Sequence, residues 1–105
     1  MKRGEVWLVP LDPTVGSEIQ KTRPCLIVSP DELNRLLPTL IVAPLTTGSH
    51  PARFRVPVRF RGRDGLILTD QIRTIARQRL MTRLGMVNPT AMKSVLTVLG
   101  DMFAE

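Results

Sequence analysis

Cysteine, histidine and long apolar runs are scarce in this sequence of 105 residues. The single cysteine, Cys25, excludes an internal disulfide and a cysteine-based zinc site. The single histidine, His50, excludes a two-histidine acid–base pair within one chain. No stretch approaches the roughly 18 uninterrupted apolar residues that a membrane span needs. We therefore expect that the protein does not associate with a membrane.

The N-terminal segment has neither the apolar core nor the small-residue cleavage site of a signal peptide. This absence predicts that the protein stays in the cytoplasm.

The chain has the length of one domain, which we place at residues 1–105. Hydrophobic residues make up 43% of the chain, which argues against disorder.

The common catalytic motifs are missing as well. The sequence contains no phosphate-binding glycine fingerprint, no histidine-rich metal motif and no serine elbow. Carboxylates are few and their spacing indicates no metal cluster, so we predict neither a metal site nor a cofactor. Cys25 lies inside an apolar run and is expected to be inert core. His50 lies in a Gly/Ser/Pro loop and is expected to be exposed, with a ligand contact as the alternative.

Positive charge is present in excess and is concentrated in one segment. The chain carries a net charge of +6, and residues 51–83 hold nine arginines against only Asp64 and Asp70. Arginine binds phosphate in a bidentate fork and stacks on bases, so this segment favours a nucleic acid as partner. A solvated surface and an acidic protein partner are the alternatives.

Short apolar segments predict strands separated by turns. The predicted strands lie at residues 5–9, 25–28, 39–43, 53–60 and from 66 to about 75. The clearest pattern alternates Phe54, Val56, Val58 and Phe60 with mostly arginine, which predicts apolar side chains inward and arginines outward. Pro57 indicates an edge strand or a bulge, and residues 61–65 are predicted to form a turn.

Two helices are predicted. Ser29 is expected to cap the first, with Pro30 in the first position and Glu32 completing a capping box. This helix must be short because Pro38 follows. Asn88 and Pro89 begin the second helix. Its apolar face, expected to pack in the core or in a dimer, consists of Met92, Val95, Leu96, Leu99 and Phe103. Together these elements predict a compact α+β barrel.

Polar residues at the boundaries of the strands form a more specific pattern. The motifs are Arg3-Gly4-Glu5-Val6-Trp7, residues 11–18 ending in Gly16-Ser17-Glu18, Thr22-Arg23-Pro24, residues 42–47 ending in Thr46-Thr47, and Asp70-Gln71-Ile72-Arg73-Thr74-Ile75. Asp70-Gln71 is expected within a strand. With these motifs, nearly the whole chain resembles the MazF/PemK family of bacterial toxins, which are endoribonucleases encoded beside an antitoxin.

The resemblance implies a fold, an activity and partners. The fold would be a small SH3-like β-barrel of the CcdB/PemK-like toxins, with a short helix after strand two and a C-terminal helix, assembled as a homodimer. The activity would be metal-independent cleavage of single-stranded RNA at a short sequence. The products would be a 2′,3′-cyclic phosphate and a 5′-hydroxyl, and the second partner would be an acidic antitoxin.

The resemblance also assigns roles to individual residues. Arg23 and Thr46 match the catalytic pair of the family, and Thr47 is a weaker candidate than Thr46. Ser17 and Glu18 match a loop near that pair. Gln71 matches a position that lines the RNA groove, and Arg73 of the same motif is grouped with the RNA-binding residues.

Two questions stay open from the sequence. A guanidinium is effectively always protonated, so electrostatic stabilisation is the role we expect for Arg23. Glu18 could then act as the base or could orient Arg23. Two alternative functions on the same scaffold are a non-enzymatic toxin that poisons DNA gyrase and a barrel that binds RNA without cutting it. An aromatic content of 4% is low for a base-stacking platform.

Overall fold

The structure is a computed structural model that describes residues 1–12, 15–19 and 21–105. Pro13, Thr14 and Gln20, which belong to the predicted loop after the first strand, lie outside the described residues. The strands are β1 (Glu5–Pro10), β2 (Thr22–Ile27), β3 (Thr39–Thr46), β4 (Arg55–Phe60), β5 (Arg63–Leu68), β6 (Arg73–Ala76) and β7 (Thr82–Met86). The helices are α1 (Asp31–Leu36) and α2 (Pro89–Phe103).

All described strand pairs are antiparallel. The central strand is β3, which pairs with β2, β5 and β6. The strand order is β4-β5-β3-β2-β1-β7, and β6 also pairs with β3. Val42 of β3 pairs with Ile27 of β2 on one side and with Arg73 of β6 on the other. At its C-terminal end β3 pairs instead with β5. Because β6 and β5 share one edge of β3, the sheet curls into a half-barrel. This confirms the predicted α+β fold with its two helices.

The C-terminal half of β2 is buried on both faces of the sheet, which explains its continuous apolar run. Leu26 belongs to the core cluster that includes Val95 of α2, whereas Cys25 and Ile27 belong to a second cluster with Leu40. Burial raises the pKa of the Cys25 thiol to about 12, against smaller opposing effects of two nearby arginines. The thiol therefore stays protonated at neutral pH, as expected for an inert core cysteine.

The strand predicted from residue 66 to about 75 is interrupted. β5 ends at Leu68, residues Thr69–Gln71 form a 3₁₀ turn, and β6 begins only at Arg73. Thr69 is fully buried at this turn. The turn carries the chain from the C-terminal end of β3 to its N-terminal half. The prediction that Asp70 and Gln71 lie within a strand was wrong, and this turn instead presents Gln71 to the site described below.

The β4–β5 hairpin is tighter than predicted. Its turn consists of Arg61 and Gly62 alone, since Phe60 pairs directly with Arg63. Both turn residues have positive φ, 52° for Arg61 and 78° for Gly62, as a type I′ turn requires. The alternation in β4 is confirmed, with Val56 buried and Arg59 exposed.

The capping box predicted for α1 was wrong. The N-cap residue is Pro30, which provides no side-chain cap. The Ser29 hydroxyl instead donates to Asn34 Oδ1 at 2.5 Å and accepts from the Ile41 N–H at 3.1 Å. Ser29 therefore attaches α1 to β3 rather than capping the helix, because its hydroxyl is buried beside that strand.

The predicted cap of α2 is confirmed, since the Asn88 side chain accepts from the Ala91 N–H at 2.7 Å. Val95 is fully buried, and Met92 and Leu99 pack against the core. Phe103, the last member of the predicted face, is 71% exposed. The packed face of the helix thus ends before its last turn.

Two glycines form a matched pair for testing how closely β3 and β5 approach. A Cβ on Gly65 would lie 2.7 Å from the Thr46 carbonyl oxygen, whereas a Cβ on Gly100 of α2 would meet no atom within 4 Å. We expect Gly65→Ala to lower the free energy of unfolding by about 1–3 kcal/mol through overpacking. Gly100→Ala should raise it by up to about 1 kcal/mol. Urea denaturation followed by circular dichroism measures both, and equal stabilities would contradict the close approach.

Candidate active site

Arg23 and Thr46 lie where β2 begins and β3 ends. The paired register of these strands includes Cys25 opposite Pro44. Continuing this register two residues further places Arg23 opposite Thr46. Both side chains line the same two surface depressions, so the structure brings the predicted pair together.

Local sequence explains why polar groups converge at this end of the strands. Pro24 and Pro44 carry no N–H and cannot donate to a neighbouring strand. β3 ends at Thr46, whose hydroxyl oxygen accepts from the Gly48 N–H at 3.1 Å. That contact fixes the hydroxyl and leaves its hydrogen to donate to another acceptor. Thr46 is 9% exposed, so it is nearly buried beside the half-buried Arg23.

One of the two depressions is polar and has a volume of about 420 Å³. We call it the polar depression, and it is formed with Arg23 and Thr46 by Ser17, Glu18, Lys21, Ser49, Arg55 and Gln71 among others. The predicted residues Ser17, Glu18 and Gln71 therefore lie around the same space as the pair.

Hydrogen bonds to the backbone hold the loop of residues 15–19 in place. Glu18 Oε1 accepts from the Val15 N–H at 2.7 Å, and the Glu18 N–H donates to the Val15 carbonyl at 3.2 Å. Gln71 Oε1 accepts from the Ile19 N–H at 2.9 Å, across 52 positions of sequence. Gln71 thus attaches the loop to the barrel and also lines the polar depression.

Arg73 and Thr47 lie outside the polar depression. Arg73 Nη1 donates to the carbonyl of Leu11, the residue that directly follows β1, at 3.0 Å. Arg73 also borders a separate cavity of about 320 Å³ with Glu18 and Gln71. Thr47 is exposed and lines only the other depression beside Arg23, which Val58 and Phe60 also line. Thr46 therefore lines both depressions together with Arg23, whereas Thr47 lines only one of them.

The second depression is mainly apolar and has a volume of about 280 Å³. We call it the apolar depression; its apolar side chains belong to Pro24, Leu45, Val58, Phe60 and Leu84. Arg61 and Arg63 of the β4–β5 hairpin also line it. Sequence reasoning missed this feature because the alternation in β4 indicated only that Val58 and Phe60 point inward.

Most arginines of the basic segment have structural partners. Arg55 binds both carboxylate oxygens of Asp70, at 3.1 and 3.0 Å, and these hydrogen bonds lower the pKa of Asp70 despite its partial burial. Arg59 pairs with Asp64, and Arg83 with Glu5. Three further arginines donate to backbone carbonyls: Arg73, Arg77 and Arg79. The excess charge therefore belongs partly to the architecture of the fold, which the charge count alone could not reveal.

His50 is exposed, as predicted, and its carbonyl accepts from Arg55 Nη1 at 3.1 Å. Within residues 1–12, 15–19 and 21–105, no three histidine, cysteine or acidic side chains cluster as metal ligands would. In the same part of the chain, neither helix has the length and apolar character needed to cross a membrane.

Comparisons with known proteins identify the family of the chain. The family model for PemK-like, MazF-like toxins of type II toxin–antitoxin systems matches residues 2–103. Endoribonuclease PemK of Escherichia coli is 45% identical over 91% of this chain and 77% of its own length. Endoribonuclease EndoA of Bacillus subtilis is 38% identical over 90% of this chain and 87% of its own length.

Solved structures agree on the fold. A mycobacterial endoribonuclease in complex with its cognate antitoxin superposes with a TM-score of 0.81 at 26% identity, covering 96% of this chain and 92% of that one. MazF of Deinococcus radiodurans, at 24% identity, gives 0.84 and covers 97% of this chain and 94% of that one. The chain therefore belongs to the family of PemK-like, MazF-like toxins of type II toxin–antitoxin systems.

Proposed function

We propose that this protein is the toxin of a type II toxin–antitoxin system and acts as an endoribonuclease on single-stranded RNA. The observation that carries the proposal is the meeting of Arg23 and Thr46 at the wall between two depressions. A phosphate on that wall would contact both side chains, while the nucleotides on either side of it would have space. The names of the related endoribonucleases support the same activity.

The reaction is a transesterification within the RNA. The 2′-hydroxyl oxygen attacks the neighbouring phosphorus and gives its proton to a solvent water molecule, and the bond from phosphorus to the 5′-oxygen breaks. The departing 5′-oxygen takes up a proton. The products are a 2′,3′-cyclic phosphate and a 5′-hydroxyl. RNA supplies its own nucleophile, so the protein has to align it and stabilise the charge of the crowded phosphorane.

Arg23 and Thr46 are suited to that stabilisation. The Arg23 guanidinium can bind two non-bridging oxygens in a fork and balance their growing negative charge. The Thr46 hydroxyl, oriented by the Gly48 N–H, can donate its hydrogen to the same phosphate. Because a guanidinium stays protonated, we assign Arg23 an electrostatic role rather than proton transfer.

Glu18 is assigned a positioning role. One of its carboxylate oxygens already accepts from the Val15 N–H at 2.7 Å, which closes the turn of residues 15–18. That turn carries Ser17 to the edge of the polar depression. The carboxylate therefore shapes the loop from which neighbouring groups contact the substrate.

Removing the charge or the hydroxyl of the pair should slow cleavage without unfolding the protein. We expect Arg23→Ala to lower kcat/KM by about 100- to 1000-fold. Thr46→Val should lower it by about ten- to a hundredfold, and Thr46→Ser should retain most of the activity. Cleavage of a long RNA in excess chelator, with cut sites mapped by primer extension, provides the measurement.

Arg35→Ala is the matched control, because it removes one exposed arginine of α1 and lies in neither depression. It should leave the rate unchanged. Intact RNA with the pure wild-type protein, freed of antitoxin, would refute the proposal. A gyrase-trapping assay would then test the non-enzymatic alternative, and an RNA-binding assay would test a barrel that binds RNA without cutting it.

The positioning role of Glu18 predicts rescue by its amide. Glu18→Gln keeps an oxygen that can accept from the Val15 N–H, so we expect kcat/KM to stay within about threefold of wild type. Glu18→Ala removes that acceptor and should cost about tenfold. If the glutamine variant is instead as slow as, or slower than, the alanine variant, Glu18 acts as the base. The pH–rate profile provides a second readout, since it should be unchanged in Glu18→Gln.

An acidic antitoxin is the second partner that we propose. Lys21, Arg61 and Arg63 are exposed around the two depressions and would attract a negatively charged segment. Because solvent-exposed charges are screened by salt, the affinity should fall by about tenfold or more between 0.05 and 0.5 M NaCl. Calorimetry with the cognate antitoxin measures this, alongside competition with an uncleavable RNA. Equal affinity at both salt concentrations would remove the electrostatic explanation.

We further propose that the toxin acts in the cytoplasm as a homodimer. The cytoplasm is where a bacterial cell keeps the RNA that the enzyme would cut. Met86 is 52% exposed and Phe103 is 71% exposed, and both offer apolar surface that a second copy would cover.

A further inference from the structure

We propose that the apolar depression holds the base of one nucleotide adjacent to the scissile phosphate, without recognising which base it is. The RNA sequence would then be recognised at the other neighbouring nucleotide, in the polar depression. This inference rests on the proposed endoribonuclease activity and specifies how that site binds its substrate.

The two depressions share one wall. Arg23 and Thr46 line both of them, so the two depressions are neighbours at this pair. An RNA strand whose scissile phosphate contacts this wall has one nucleotide before it and one after it. The geometry therefore directs one neighbouring nucleotide to each depression.

The polar depression offers groups that distinguish bases. Ser17 contributes a hydroxyl, Lys21 an ammonium group, and Gln71 an amide nitrogen in addition to the oxygen that holds Ile19. Unpaired RNA bases are recognised mainly by hydrogen bonds to their edges. A base in this depression would be selected by those donors and acceptors.

The apolar depression offers mainly apolar contacts. Leu45, Val58, Phe60 and Leu84 present hydrocarbon or a ring. Such a surface accepts the flat face of any base, because every base has a similar π-face. The Phe60 ring also lies close to Gly85 of β7, where an added Cβ would be 3.4 Å from the ring.

The arginines beside this apolar surface indicate a nucleotide rather than a simple hydrophobic ligand. Arg61 and Arg63 line the depression together with Arg23, so a base bound there would have cations available for its phosphates. Arg61 adopts a left-handed conformation, with φ of 52°. The type I′ turn of the hairpin requires this conformation, and the turn holds Arg61 beside the depression.

An apolar side chain of an acidic antitoxin would suit the same chemistry. The shared wall favours the substrate, because a phosphate bound at Arg23 and Thr46 would bring its own attached nucleotide next to this depression. Binding of the antitoxin alone in the apolar depression is the competing explanation, and the experiment distinguishes the two.

The decisive experiment varies the RNA rather than the protein. A cut site is first mapped on a long RNA, and a short oligonucleotide containing it is then synthesised with each base, or with no base, at the two positions flanking the scissile phosphate. At one position, we expect base exchange to change kcat/KM by less than about threefold while base removal lowers it by about 5- to 150-fold. At the other position, base exchange itself should cause a loss of that size.

Protein variants then connect the tolerant position to the apolar depression. Arg61→Gly removes one cation and relieves the positive φ, so the protein should be as stable as wild type or more stable. Arg63→Gln removes the second cation within β5. We expect each variant to raise KM about three- to tenfold and to leave the preferred base at the selective position unchanged.

Arg59→Gln is the matched control. Arg59 lies on the same hairpin, two residues before Arg61, but its side chain is 68% exposed, pairs with Asp64 and lies outside both depressions. It should leave KM within about twofold of the wild-type value. An equal rise of KM in all three variants would mean that charge alone matters, which overturns the subsite.

The outcomes separate this inference from the proposed function. If no RNA is cut by the wild-type protein, both fail. If RNA is cut but base removal has no effect at either neighbour, or both neighbours are equally selective, the subsite is overturned and the endoribonuclease stands. If Arg61→Gly and Arg63→Gln weaken antitoxin binding only, with KM for the oligonucleotide unchanged, the depression belongs to the antitoxin and the inference is wrong.

Discussion

The pairing of β2 with β3 is the constraint on which the candidate site depends. Its register brings Arg23 and Thr46 to the same level at the ends of the two strands, from sequence positions that are 23 residues apart. Both strands are buried on two faces further along, so the register cannot slip without moving apolar side chains to the wrong cluster. The precision of the site is therefore a consequence of core packing. The loops contribute groups around a pair that the barrel itself has already positioned.

Several features of the fold follow directly from local sequence. The alternation in β4 predicted which residues point inward, and Asn88-Pro89 predicted the start of α2. These signals are local, because they depend on strand periodicity and on the hydrogen bonds of one helix end. The resemblance to a known family added the pairing of Arg23 with Thr46, which no local pattern could have provided.

Other features could not be predicted because distant partners determine them. Ser29 has the sequence of a helix cap, yet its hydroxyl is committed to Asn34 and to Ile41 of β3. The segment from Leu66 to Ile75 begins and ends with strand-forming residues, yet the chain must leave one part of β3 and join another. The arginines of the basic segment differ in role according to which carbonyls and carboxylates lie within reach. In each case tertiary contacts override a signal that is correct for an isolated segment.

The attachment of the loop at residues 15–19 has a consequence for how such toxins can diversify. Gln71 holds the loop through the main-chain N–H of Ile19, and Glu18 closes the turn through the main-chain N–H of Val15. A backbone donor is present at these positions whichever side chain the residue carries, proline excepted. Evolution can therefore exchange the side chains at positions 15 and 19 while the loop stays fastened to the barrel. A change of side chain at these two positions can therefore alter the surface of the loop without altering the hydrogen bonds that attach it.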